Sequence, residues 1–108
     1  MDIAATSETD LETRKADAIS LTRIAVARLA DIGVSAKVIG SLSTGRFQTH
    51  SDIDLLVTDC PRNLKYRIEG IVEDCLPGFE FDVVYLDEIP PHRLHRFMEN
   101  VTDARDLR

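Results

Sequence analysis

Glycine and proline are scarce, five and four residues in 108, and that scarcity excludes a low-complexity or disordered chain. Hydrophobic residues make up 44 % and charged residues 30 %, the balance of a chain that folds around a core. Cysteine is scarcer still. Cys60 and Cys75 lie too far apart for a CxxC redox or zinc motif and are too few for a disulfide framework, so both read as reduced packing residues. Long hydrophobic runs are missing: no segment approaches the length that crosses a bilayer. The opening MDIAATSETDLE is acidic and polar, without the basic start and apolar stretch of a secretory leader. The expected location is therefore the cytoplasm, with no membrane partner. Positive charge is also in deficit, 13 basic against 19 acidic side chains for a net charge of −6. Such a surface repels a nucleic-acid backbone, but it admits a small nucleotide that brings its own divalent cation. The length predicts a single domain over residues 1–108, with 1–9 loose and no room for a separate substrate domain.

The apolar pattern predicts an alternation of helices and strands. Ala18, Leu21, Ala25, Leu29 and Ile32 recur at spacings of three and four, which places one face of a helix over residues 10–32. Thr9 and Glu12 fit a capping box and Gly33 a stop. AKVIGS reads as a short buried strand, Ser41 to Ser51 as a polar stretch punctuated by Gly45, and DIDLLVTD as a second strand. Residues 61–76 carry the next helix, with Pro61 in its first turn and Leu64, Ile68, Ile71 and Cys75 on one face. FEFDVVYL alternates as a third strand, Phe79, Phe81, Val83 and Tyr85 on one side and Glu80, Asp82, Val84 and Leu86 on the other. Pro90-Pro91 opens a last helix whose stripe of Leu94, Phe97, Met98 and Val101 is read as core. The pattern predicts a small sheet with helices packed on it and leaves strand order open.

The chemistry concentrates in one stretch. Residues two apart on a strand point the same way, so Asp52 and Asp54 project together, and two ionised carboxylates so placed need a cation between them. Mg²⁺ accepts one or two carboxylates plus substrate phosphates. Asp82 stands in an otherwise apolar strand, where burial without a partner is expensive, and a shared metal supplies a reason for it. Gly40-Ser41 follows the first strand, where a backbone lacking Cβ lets a phosphate approach and successive N–H groups and a hydroxyl hold it. A phosphate cradle facing carboxylates is equipment for moving a nucleotidyl or phosphoryl group. Ser51 reads equally well as a turn-shaping residue or a site residue, His50 as a surface residue, and Arg46 as a solvated loop arginine or a phosphate ligand. Arg93, His95 and Arg96 read as the solvent face of the last helix in preference to a contact for nucleotide or partner.

GSLSTGRFQTHSDIDLLV resembles the G-S-x10-D-x-D signature of the DNA polymerase β-like nucleotidyltransferase superfamily. In length and element order the chain is most similar to the minimal nucleotidyltransferases (MNT), especially the antitoxins of HEPN/MNT toxin-antitoxin pairs. The resemblance implies an α/β (α+β) nucleotidyltransferase fold with a small mixed β-sheet. It implies that Gly40 and Ser41 bind the triphosphate and that Asp52, Asp54 and Asp82 hold two Mg²⁺ ions, with Asp82 as general base. It also implies ATP as substrate, pyrophosphate as leaving group and a hydroxyl of a HEPN-type RNase toxin as acceptor of AMP, in a hetero-oligomer with that toxin. The alternative is an antitoxin that masks its toxin by binding without catalysis. A small-molecule nucleotidyltransferase ranks last, since such enzymes carry an added helical domain.

Overall fold

The computed structural model describes residues 3–108, with side chains from Asp10 onward. Helix α1 spans Ile3–Asp31, and Ala18, Thr22, Ala25 and Leu29 along one side of it are fully buried. It begins at Ile3 and not near residue 10, so Thr9 and Glu12 lie within it instead of capping it. The segment before the apolar stripe holds Ala, Glu, Leu, Arg and Lys without Gly or Pro, so intrinsic propensity extends the helix beyond its buried face. Met1 and Asp2, part of the segment expected to be loose, lie outside the described residues. Gly33, at φ +86°, turns the chain out of the helix, and the Val34 amide donates back to the Leu29 carbonyl at 2.9 Å in the manner of a left-handed helix stop.

Three strands follow, β1 Ser35–Ile39, β2 Ile53–Asp59 and β3 Phe81–Tyr85, in the order β1-β2-β3. The first pair is antiparallel and the second parallel. A parallel pair needs a crossover, and helix α3, Lys65–Cys75, entered through a 3-10 turn at Arg62–Leu64, provides it. Alternation divides the side chains between two faces. Ala36, Val38, Ile53, Leu55, Val57, Phe81, Val83 and Tyr85 join Ala18, Ala25 and Leu29 of α1 and Ile68, Val72 and Cys75 of α3 in one core. On the opposite face, cross-strand register aligns Lys37 with Leu56 and Val84, and Ile39 with Asp54 and Asp82. The architecture is thus a small mixed α/β fold, as expected.

Two short helices serve that opposite face. Helix α2, Gly40–Thr44, starts directly after β1, so Gly40-Ser41 opens a helix instead of ending a strand. Gly45 closes it at φ 80°, its amide donating to the Ser41 carbonyl, and the buried Leu42 side chain anchors it. Helix α4 is Pro91–Met98. Its expected apolar stripe is not core: Leu94 and Met98 are exposed, at 38 % and 43 %, and Phe97 and, beyond the helix end, Val101 are half-buried. The second sheet face buries Ile39 and Leu56, but Asp54 and Asp82 beside them make it too polar to absorb the whole stripe.

After α4 the chain returns to the sheet. Val38 and Thr102 exchange backbone hydrogen bonds of 2.8 and 2.9 Å, and Ala104 and Leu107 are buried. Arg23 of α1 holds this tail, Nε donating to the Ala104 carbonyl at 3.0 Å and Nη2 to the Leu107 carbonyl at 2.8 Å. Lys37 pairs with Asp103 at 3.1 Å. Hydrogen bonds from Arg105 and Lys37 hold the Asp103 carboxyl well below the usual carboxylate range. Among the described residues no helix is long and apolar enough to cross a membrane.

Candidate active site

Asp54 sits on the central strand with Ile39 beside it on β1 and Asp82 beside it on β3. The sequence distance between the two aspartates is thereby reduced to one inter-strand step, about 5 Å between backbones. Nothing neutralises them: among the described residues neither carboxylate takes part in an ion pair. The Asp54 carboxyl is consequently pushed up to about 6, first by burial and then by repulsion from Asp82 and Asp52. Desolvation and like charge act in the same direction, since both penalise the ionised form.

Gly40 fits against this carboxylate. A Cβ added there would collide with Asp54 Oδ2 and lie 3.1 Å from Asp54 Cγ, and the residue stands at φ +74°. Space and backbone conformation both demand glycine. The sequence assigned this residue to a phosphate; the structure adds a closer reason, the seating of Asp54.

A cavity of about 320 Å³ opens over the pair. Ile39, Asp54, Asp82 and Val84 of the sheet form its floor, Gly40 and Thr44 of α2 one wall, and Arg96, Phe97 and Asn100 the other. Ser41 lies at the start of α2 beside Gly40 but is not in the lining, whereas Thr44 is. Asp52 precedes β2 and is exposed; it stands outside the lining yet close enough to act on the charge of Asp54. Asp82 is also exposed, contrary to the burial expected from its apolar neighbours. It lies on an edge strand whose outer face is only partly covered, so the cost of burying it is not what explains it. Its register with Asp54 is the surviving reason.

The walls are fixed by contacts the sequence does not announce. Ser43 of α2 donates to the Asn100 carbonyl and meets Thr102 Oγ1 at 2.6 Å, which clamps the end of the α4 segment to α2. On the approach to Asp52, Ser51 Oγ accepts from the Gln48 amide at 2.8 Å, a loop role. Arg14 of α1 donates from Nε to the Thr49 carbonyl at 3.0 Å and from Nη2 to the Gly78 carbonyl at 3.1 Å. Its guanidinium lies 4.2 Å over the Phe79 ring. One side chain thus ties the segment before Asp52 to the segment before β3.

Oxygen donors in this arrangement suit a hard divalent ion. Among the described residues no three His, Cys, Asp or Glu side chains already converge into an ion cage. A partly open donor set is nevertheless what Mg²⁺ takes when substrate phosphates complete its shell. The elevated Asp54 carboxyl, with an acidic neighbour on either side, is a site that a cation would relieve.

The fold that seats the paired carboxylates resembles that of a small nucleotidyltransferase domain. Comparison with solved structures agrees: over 83 % of this chain and 91 % of the other, the structure superposes with a TM-score of 0.52 and 23 % identity on one described as a "putative minimal nucleotidyltransferase". No protein-family model matches the chain, and no curated protein matches it significantly. The fold is what this likeness establishes.

Proposed function

We propose that the protein is a Mg²⁺-dependent nucleotidyltransferase that moves AMP from ATP to a hydroxyl of a protein partner. A HEPN-type toxin silenced by the modification is the partner we propose, in a complex within the cytoplasm. The observation that carries the reading is the lateral pairing of Asp54 with Asp82 beside a glycine at positive φ whose added Cβ would meet the Asp54 carboxylate. Asp52, Asp54 and Asp82 would hold the metal, two ions being expected. Bound there, Mg²⁺ would neutralise charge on the triphosphate and acidify the acceptor hydroxyl.

The chain's own residues have separable tasks. Gly40 lines the cavity with its backbone, and with the Ser41 hydroxyl it would offer donors to phosphate oxygens, while the Thr44 hydroxyl is engaged with the Ser41 carbonyl. Asp54, ionised above about pH 6, supplies the central anionic ligand. Asp82 is exposed beside Asp54, and it is the candidate base for the acceptor hydroxyl. The acceptor oxygen then forms a bond to the α-phosphorus. The bond from the α-phosphorus to the bridging oxygen breaks, and pyrophosphate departs with the electron pair.

The test is the mass of the co-purifying partner after incubation with ATP and Mg²⁺. An increase of one or more AMP units, lost in Asp52→Asn and in Asp54→Asn, is the expected result. A partner whose mass never moves with any nucleotide, yet whose activity is still blocked, would favour the masking antitoxin instead. The exposed Leu94 and Met98 on α4 are the observation that keeps that second reading in view.

A further inference from the structure

The cavity over Asp54 and Asp82 has one cationic side chain in its lining, Arg96. It stands in the last turn of α4 and shares the cavity lining with Gly40 and Thr44 of α2. Among the described residues it makes no ion pair with either aspartate or any other acid. A guanidinium and two carboxylates therefore line one small space without neutralising each other, an arrangement that leaves both charges for a ligand carrying both needs. Arg93 and His95, its basic neighbours on the helix, are not in this lining; Arg93 lines a separate recess with Ile89 and Pro90.

The position is held. Phe97 next to Arg96 is the half-buried residue of α4, and the Asn100 carbonyl just beyond is taken by the Ser43 hydroxyl of α2. The helix end that carries Arg96 is thus pinned to the helix that opens at Gly40. In a chain of net charge −6, with three carboxylates at the site, a polyphosphate faces repulsion that a metal bound among those acids offsets only on its own side. A planar guanidinium in the same lining can offer the remaining phosphate oxygens paired N–H donors, which an ammonium does not reproduce.

We propose that Arg96 is the polyphosphate ligand of this site, holding the β- and γ-phosphates of the nucleoside triphosphate and then the pyrophosphate that leaves. The inference rests on the nucleotidyltransferase reading and adds to it the residue that orients the leaving group. As pyrophosphate departs, Arg96 receives the growing negative charge on the bridging oxygen side while Asp82 retains the acceptor's proton.

The test is equilibrium binding. Calorimetric titration of the whole chain with inorganic pyrophosphate, and separately with AMP, each with Mg²⁺, would compare wild type with Arg96→Gln, Arg96→Lys and Arg93→Gln. Arg96→Gln is expected to weaken pyrophosphate binding at least tenfold, Arg96→Lys to recover part of it, and Arg93→Gln to stay within about twofold, charge-assisted bidentate contacts being about twice as strong as neutral ones. AMP binding should not distinguish Arg96→Gln from wild type. Because Arg96 is exposed, the variants should melt together with the parent, a check that separates lost contact from lost fold. Pyrophosphate bound equally by Arg96→Gln and wild type, or weakened equally by Arg93→Gln, would overturn the role of Arg96 alone. Wild type that binds neither pyrophosphate nor any nucleoside triphosphate with Mg²⁺ would overturn the nucleotidyltransferase reading beneath it.

Discussion

The two faces of the three-stranded sheet are built from the same strands and obey opposite rules. One face, Val38, Ile53, Leu55 and Val83 among others, disappears into the core beneath α1 and α3. The other pairs Asp54 with Asp82 and leaves them under an eight-residue helix whose only half-buried residue is Phe97. Leu55 and Asp54 are consecutive, yet the first is fully buried and the second is a carboxyl raised to about 6. Alternation lets one strand supply stability with every second residue and, at Asp54 on its other side, one of two neighbouring like charges. The pair is tolerable because the packed face holds the strand in register.

The largest contrast should therefore come from neighbours. Leu55→Ala is expected to cost about 3 kcal/mol in denaturant unfolding, the range of a buried leucine truncated in a tight core, with any nucleotide transfer surviving in the fraction that stays folded. Asp54→Asn is expected to do the reverse, lowering transfer by more than about a hundredfold, beyond what loss of a merely indirect metal partner costs, while the unfolding midpoint holds or rises. Asp54→Asn that destabilises as much as Leu55→Ala would show that the carboxylate is a structural group and erase the division.

Gly40 joins the two faces, because it follows β1 directly and packs against Asp54. Gly40→Ala should cost about 1–3 kcal/mol for a side chain forced to positive φ and also displace the Asp54 carboxylate it meets. Transfer should fall further than the loss of folded protein explains, measured as activity per folded molecule. Gly78, also at positive φ but with nothing within 4 Å of an added Cβ, provides the control: Gly78→Ala should cost stability and spare the site.

Much of this was legible in the sequence, for physical reasons that also mark where legibility ended. The spacing from Gly40-Ser41 to Asp52-x-Asp54 and the alternation around Asp82 are local properties of strands, and they located the sheet, its two faces and the element order. The beginning of α1 was misplaced because propensity carried the helix past its buried stripe. The apolar stripe of α4 was read as core because periodicity reports an amphipathic helix without saying whether anything covers it. Asp82 was expected to be buried because its neighbours are apolar, but those neighbours face the other side or an open edge. Arg96 stood in a basic patch read as a solvent face, and Thr44 and Asn100 carried no signal. Their place at the cavity depends on how α4 and α2 lie over the sheet, which is a tertiary fact.

The charge on the open face should also be visible in pH. The Asp54 carboxyl is raised from 3.8 to about 6 in the folded chain, so the folded state holds a proton that the unfolded state has already released. Its contribution to stability is fully present below about 4 and is lost as pH rises through about 6. Because the group is partly exposed, the change should be modest. Metal uptake runs the other way, since a protonated ligand must first be emptied, and Mg²⁺ affinity should fall by up to about tenfold per unit below pH 6. Asp54→Asn should flatten the stability trend, and a trend that persists unchanged in that variant would assign it to other acids.

The smallest effect is expected at Leu94 and Met98, and it bears directly on the contrast between faces. Both belong to a stripe that looks like core in sequence, but both are exposed, so Leu94→Ser with Met98→Ser should change unfolding free energy by no more than about 0.5 kcal/mol, as for surface sites without special contacts. Phe97, between the sheet and solvent and lining the site cavity, should be more sensitive than either. If the double variant instead loses about 2 kcal/mol or more in urea unfolding, α4 shares in the core, and the second face is stabilised by packing in the same way as the first.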